Sequence, residues 1–127
     1  MTADRRRPEG VGKPPRGRLA LGAAGESLAA AWYAEHGYEV LDRNWRCGSG
    51  EIDLVCRKDG VLVICEVKSR RSRTFGDPVE AVTPAKRRRL RRLAGRWLST
   101  HPVRCRQVRF DVAGVLDRAV EVVEDAF

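Results

Sequence analysis

The chain has 127 residues, 43% hydrophobic and 33% charged, with a formal net charge of +8. That length suits one domain with a self-sufficient core. The basic surplus points to acidic partners, nucleic acid foremost, against the blander reading of a surface that only keeps the protein soluble.

Residues 1–17, "MTADRRRPEGVGKPPRG", are rich in Arg, Pro and Gly and almost free of large apolar side chains. They read as a disordered basic tail, leaving one domain over 18–127. Apolar residues Leu21, Ala24, Leu28, Ala31 and Trp32 then recur at helical spacing, so a helix is expected over 19–36, closed by Gly37. Its Leu28 stripe reads as the buried side. Glu26 lies about 200° around the wheel from Leu28, on the face of Tyr33. "LALGAAG" could mimic a targeting segment, but Glu26 interrupts it and the run is too short to cross a bilayer.

"YEVLDRNW" follows as a first strand, and "GEIDLVCRKDGVLVICEVKSR" as a hairpin over 50–57 and 61–68. Asp59-Gly60 is a strong two-residue turn signal. With that loop Lys58 faces Val61, Asp53 faces Glu66 and Glu51 faces Lys68. One face collects Ile52, Leu54, Cys56, Val63, Cys65 and Val67. The other carries Val55 and Ile64, then Glu51, Asp53, Glu66 and Lys68. A three-residue loop would mix acids into the apolar face. Opposed β-carbons lie about 4.5–5.5 Å apart, so the two acids repel. A hard divalent cation would offset this, and Lys68 projects to the same side as Glu66. The bland alternative is a solvated face with a Glu51–Lys68 ion pair.

"SRRSRTFGDP" is a basic loop. Thr83 and Pro84 read as N-cap and first residue of a helix over 84–99, with Leu90, Leu93, Ala94, Trp97 and Leu98 buried. Its polar side holds Lys86, Arg87, Arg88, Arg89, Arg91, Arg92 and Arg96 without one acid; with Arg70, Arg71 and Arg73 these are the candidate phosphate contacts. A merely solvated helix face is the alternative. "RQVRFDVAGVL" alternates as a strand with one buried face, Arg109 and Asp111 opposite it, and "AVEVVEDAF" closes the chain with a short strand. The four cysteines, Cys47, Cys56, Cys65 and Cys105, form no CxxC pair, and no His stands at zinc-finger spacing. They read as reduced thiols in a cytoplasmic protein.

Asp53 followed by Glu66-Val67-Lys68 resembles the PD-(D/E)XK nuclease signature, with Ile52 in place of its Pro. Gly25-Glu26, "RNWR" at 43–46, "GEIDL" at 50–54, "EVKSR" at 66–70, Phe75-Gly76, Lys86 with Arg89, "RFDV" at 109–112 and the closing "AF" together resemble the YraN-like family of small bacterial proteins. The resemblance covers roughly 19–127. It implies an α/β fold with a restriction-endonuclease-like core: a central mixed sheet, the antiparallel hairpin within it, and flanking helices. It also implies similarity to archaeal Holliday-junction resolvases, and so a Mg²⁺- or Mn²⁺-dependent endonuclease acting on DNA ahead of RNA, branched DNA included. Asp53, Glu66, the Val67 backbone carbonyl and Glu26 would hold the metal, and Lys68 would serve the attacking water and the phosphate. Glu51 would pair with Lys68 or join the metal. Related resolvases are dimers, which leaves a homodimer open. A nucleic-acid-binding protein of this fold without catalysis, and a small basic RNA-associated structural protein, are the alternatives.

Overall fold

The computed structural model describes residues 18–70 and 77–127, with side chains from residue 22 onward. The expected tail over 1–17 and the loop residues 71–76, including Arg71 and Arg73, lie outside the described residues.

Five strands lie side by side in chain order: β1 (Glu39–Cys47), β2 (Gly50–Lys58), β3 (Val61–Arg70), β4 (Gln107–Leu116) and β5 (Ala119–Val123). β3 and β4 run parallel and the other neighbours antiparallel. A parallel pair cannot be joined by a tight turn. The crossover here carries a short 3₁₀ turn, Pro78–Ala81, and helix α2 (Pro84–Thr100). Helix α1 (Arg18–Glu35) precedes the sheet. This is an α/β fold with a mixed sheet between two helices, consistent with a restriction-endonuclease-like core.

Asp59 and Gly60 have φ of 51° and 80°, as a two-residue primed turn requires. The turn sets the register: Lys58 faces Val61, Val55 faces Ile64 and Leu54 faces Cys65. Thr83 Oγ1 accepts the Lys86 N–H at 3.2 Å and Pro84 opens α2. Gly37, at φ 89°, ends α1, and the Tyr38 N–H reaches back to the Tyr33 carbonyl at 2.9 Å.

Side chains alternate across the sheet, which divides the core in two. Under α2, Val55, Leu62, Ile64, Phe110 and Val112 meet Leu90, Leu93, Ala94 and Trp97. Under α1, Leu54, Cys56, Val63, Cys65 and Ala113 meet Ala29, Ala30 and Tyr33. The buried face of α1 is therefore not the Leu28 stripe: Ala24 and Ala31 are exposed, whereas Gly25, Ala29 and Tyr33 are buried. Small residues face the sheet because the helix comes so close. A Cβ on Gly25 would overlap the Ser69 Oγ on β3.

The strand expected to have one open face is covered on both. Asp111 is fully buried. It accepts from Tyr33 Oη at 2.6 Å, the Asp125 N–H at 3.0 Å, and Arg109 Nε and Nη2 at 2.9 Å each. Arg109 also donates to Tyr38 Oη at 2.9 Å. A bidentate, hydrogen-bonded pair of this kind is costly to break from one side, because the other charge is stranded. We expect Asp111→Ala to cost about 3–5 kcal/mol, a large share of the roughly 5–15 kcal/mol that hold a domain together. Tyr33→Phe, which removes one bond of the set, should cost about 1–2 kcal/mol. Urea unfolding of both variants checks the order; equal, small losses would contradict it.

Candidate functional site

The β2–β3 ladder ends at Leu54–Cys65. The pairing expected between Asp53 and Glu66 is not formed. Instead Asp53 Oδ2 accepts the Val67 N–H at 2.9 Å, so a side chain stands in for the next rung. On the other side of β2, Leu54 pairs with Arg43 and Ile52 with Trp45, while Asn44 between them takes a φ of 53°. Alternation breaks at this point. Ile52 packs with Val55 under α2, not with Leu54 and Cys56 as its parity suggests. Asp53 sits at the break.

Three carboxylates gather there: Glu26 from α1, and Glu51 and Asp53 from β2. Each offers an oxygen within 4.8 Å of the others, and all three residues are half-buried. The close approach permitted by Gly25 is what brings the α1 carboxylate to the sheet. Glu66 is buried, and its Oε2 lies 2.5 Å from Lys86 Nζ. A cavity of about 200 Å³ is lined by Glu51, Asp53, Glu66, Lys86, Arg89 and the apolar Leu90 and Leu93. Burial, then the charge of Glu66, pushes the Asp53 pKa up to about 8; Glu26 and Glu51 add to the rise, and the Val67 N–H opposes it.

The candidate residues are thus distributed unevenly. Glu26, Asp53 and Glu66 are brought to one end of the hairpin, and Glu51 joins them. Its ion pair is with Arg46 at 3.6 Å, not with Lys68. Lys68 is half-buried beside Gly114 of β4 and makes no ion pair among the described residues. Lys86, grouped by sequence with the outer basic face, points into the site instead. Arg89 lines the cavity one turn later. Arg87 and Arg91 stack their guanidinium groups over Phe127, and Arg91 also over Phe110. That ties the closing Phe127 to α2; Arg87 is half-buried there, while Arg91 remains exposed. Arg88, Arg92 and Arg96 are exposed, the last donating to Ser49 Oγ at 3.2 Å. Arg70 donates to the Asp77 carbonyl at 3.1 Å. Trp97 is core, with Nε1 donating to Asp42 Oδ2 at 2.9 Å; Trp45 packs at the edge of the same cluster.

A family model described as "Uncharacterised protein family UPF0102" matches residues 25–115. The chain belongs to the UPF0102 family. A UPF0102 protein of Beutenbergia cavernae is 54% identical over 101 residues, covering 80% of this chain and 86% of its own. One from Streptomyces coelicolor is 51% identical over 121 residues, covering 92% and 93%. The YraN-like resemblance is borne out, and the UPF0102 match spans every carboxylate of the cluster together with Lys68, Lys86 and Arg89. Among the described residues of this UPF0102 chain no helix is long and apolar enough to cross a membrane.

The raised Asp53 pKa has a direct consequence for stability. An aspartate ordinarily titrates near 4. The folded protein holds this proton up to about pH 8, whereas the unfolded chain releases it near 4, so stability falls as pH rises across that window. Asp53→Asn keeps an acceptor for Val67 and removes the charge. In chelator it should raise Tm by at least about 3 °C at pH 8.5 and change it little near pH 4. Calorimetric melts at both pH values check this; a lower Tm at pH 8.5 would contradict it.

Proposed function

We propose that this UPF0102 protein is a metal-dependent nuclease of the PD-(D/E)XK type, hydrolysing phosphodiester bonds in DNA, with branched or structured DNA within its reach. The observation that carries the reading is the convergence of Glu26, Asp53 and Glu66, from one helix and two strands, where the hairpin opens beneath a helix rich in arginine. The donor set fits a hard divalent cation: it is all oxygen, the half-buried Glu26, Glu51 and Asp53 offer oxygens at ion-binding spacing, and the buried Glu66 lines the same cavity as Glu51 and Asp53. Glu26, Asp53, Glu66 and the Val67 carbonyl would hold Mg²⁺ or Mn²⁺, with Glu51 beside them. When bound, the metal supplies Lewis-acid polarisation of the phosphate and a lowered pKa for its water.

The remaining work falls to the chain. The Val67 N–H fixes Asp53 in place. Lys68, two residues beyond Glu66 on β3, would hold a proton at Nζ for the attacking water. Leu90 and Leu93 line the α2 side of the cavity. Arg88, Arg92 and Arg96 offer an outer surface for the strand, giving salt-sensitive binding with little sequence preference. Arg70, which donates to the Asp77 carbonyl, is a further candidate phosphate contact. One observation favours a second reading, a nucleic-acid-binding protein without catalysis: Glu66 already has a cation in Lys86.

Incubation with duplex, single-stranded and branched DNA and with RNA, in Mg²⁺, Mn²⁺ or EDTA, separates the two. The nuclease reading expects metal-dependent nicking. Asp53→Ala and Glu66→Ala should lose more than about 100-fold in rate, beyond what orienting residues alone cost, with DNA binding kept. Binding without cleavage in either metal would establish the second reading.

A further inference from the structure

We infer that Lys86 is the residue that receives the substrate phosphate, and that it rests on Glu66 until a divalent cation claims that carboxylate. The inference rests on the metal-dependent reading above and names a residue outside the Asp53, Glu66 and Lys68 set.

The lysine nominated by the sequence signature is not the one at the cavity. Lys68 makes no ion pair among the described residues and does not line it, whereas Lys86 does both. Lys86 Nζ lies 2.5 Å from Glu66 Oε2; its side chain is 32% exposed and that of Glu66 8%. One end of the pair is therefore sealed and the other opens to the mouth. The placement is built in, because the N-cap bond to Thr83 fixes the Lys86 backbone in the first turn of α2. Arg89 follows one turn later on the same lining.

Two cations would then compete for one carboxylate. A divalent ion drawing on Glu66 displaces the ammonium, and α2 contains no acid to recapture it. The freed Lys86 stands with Arg89 at the mouth, beside the outer Arg88 and Arg92, where a strand lying on α2 would bring a phosphodiester. Metal and nucleic acid thereby favour each other's binding, and the coupling is reciprocal.

Removing the competitor gives opposite signs in two measurements, which loss of packing alone would not. Calorimetric titration of Mn²⁺ without DNA should show Lys86→Met binding roughly 3- to 10-fold more tightly than wild type, the scale of one competing ion pair. Arg106→Met, at the turn end of the hairpin beside Gly60, should stay within about twofold of wild type, because salt screens a charge that far from the cluster. Duplex affinity in Mn²⁺ relative to EDTA, at fixed ionic strength, should be enhanced in wild type and in Lys86→Arg but lose most of that enhancement in Lys86→Met. Lys86→Gln, which keeps a hydrogen bond to Glu66 without the charge, gives the same test if the Met variant does not fold. Equal or weaker Mn²⁺ binding by the uncharged variants overturns this inference while leaving the metal site standing. Absence of Mn²⁺ binding by the wild-type protein overturns both.

Discussion

Mutual repulsion among carboxylates, where β2 and β3 part, is the constraint on which the site depends. A ladder that continued past Leu54 and Cys65 would set Asp53 directly against Glu66. The strands separate instead, and Asp53 takes the Val67 N–H in place of a backbone rung. Glu26 and Glu51 then crowd the same volume. Half-burial weakens the screening that water would supply, so Asp53 is driven to hold a proton unless the cluster accepts a cation. Lys86 relieves Glu66, and Asp53 is left with one backbone donor and three acidic neighbours.

A second buried acid in the same sheet shows how the chain treats a carboxylate whose role is structural. Asp111 is more deeply buried than Asp53, yet Tyr33, Arg109 and the Asp125 backbone occupy both its oxygens. The network fastens α1 to β4 and, through Tyr38, to the start of β1. It also fixes the helix that delivers Glu26. One acid is matched by a guanidinium and spends its charge on stability; the other is left among like charges at a cavity. Unmatched charge in a cleft marks a functional site more than burial alone does.

Much of the fold follows from local chemistry. The Asp59-Gly60 turn forces positive φ at both positions, and the hairpin register follows from it over five pairs. Thr83-Pro84 and Gly37 mark helix ends through bonds that the structure contains. Tertiary effects were out of reach. Periodicity ranks large apolar residues, so it favoured Leu28 over the small face of Gly25 and Ala29 that lets α1 approach. Asn44 and the break at Asp53 invert the side of Ile52, a change that strict alternation cannot express. Asp111 reads as a surface residue until Tyr33 and Arg109 are seen around it. Of the site, Glu26, Asp53 and Glu66 were legible from motif and spacing. Lys86 was legible as a candidate phosphate contact but not as the partner of Glu66, because only the crossover between parallel strands carries the first turn of α2 over the open hairpin.

The most direct test of the central claim, that these carboxylates grip one cation, is anomalous diffraction from crystals soaked in Mn²⁺. The account predicts an anomalous peak within about 2.0–2.6 Å of oxygens from Glu26, Asp53 and Glu66, with Lys86 Nζ withdrawn from Glu66. A saturated crystal with no peak in this cluster, and Lys86 still seated on Glu66, would contradict it.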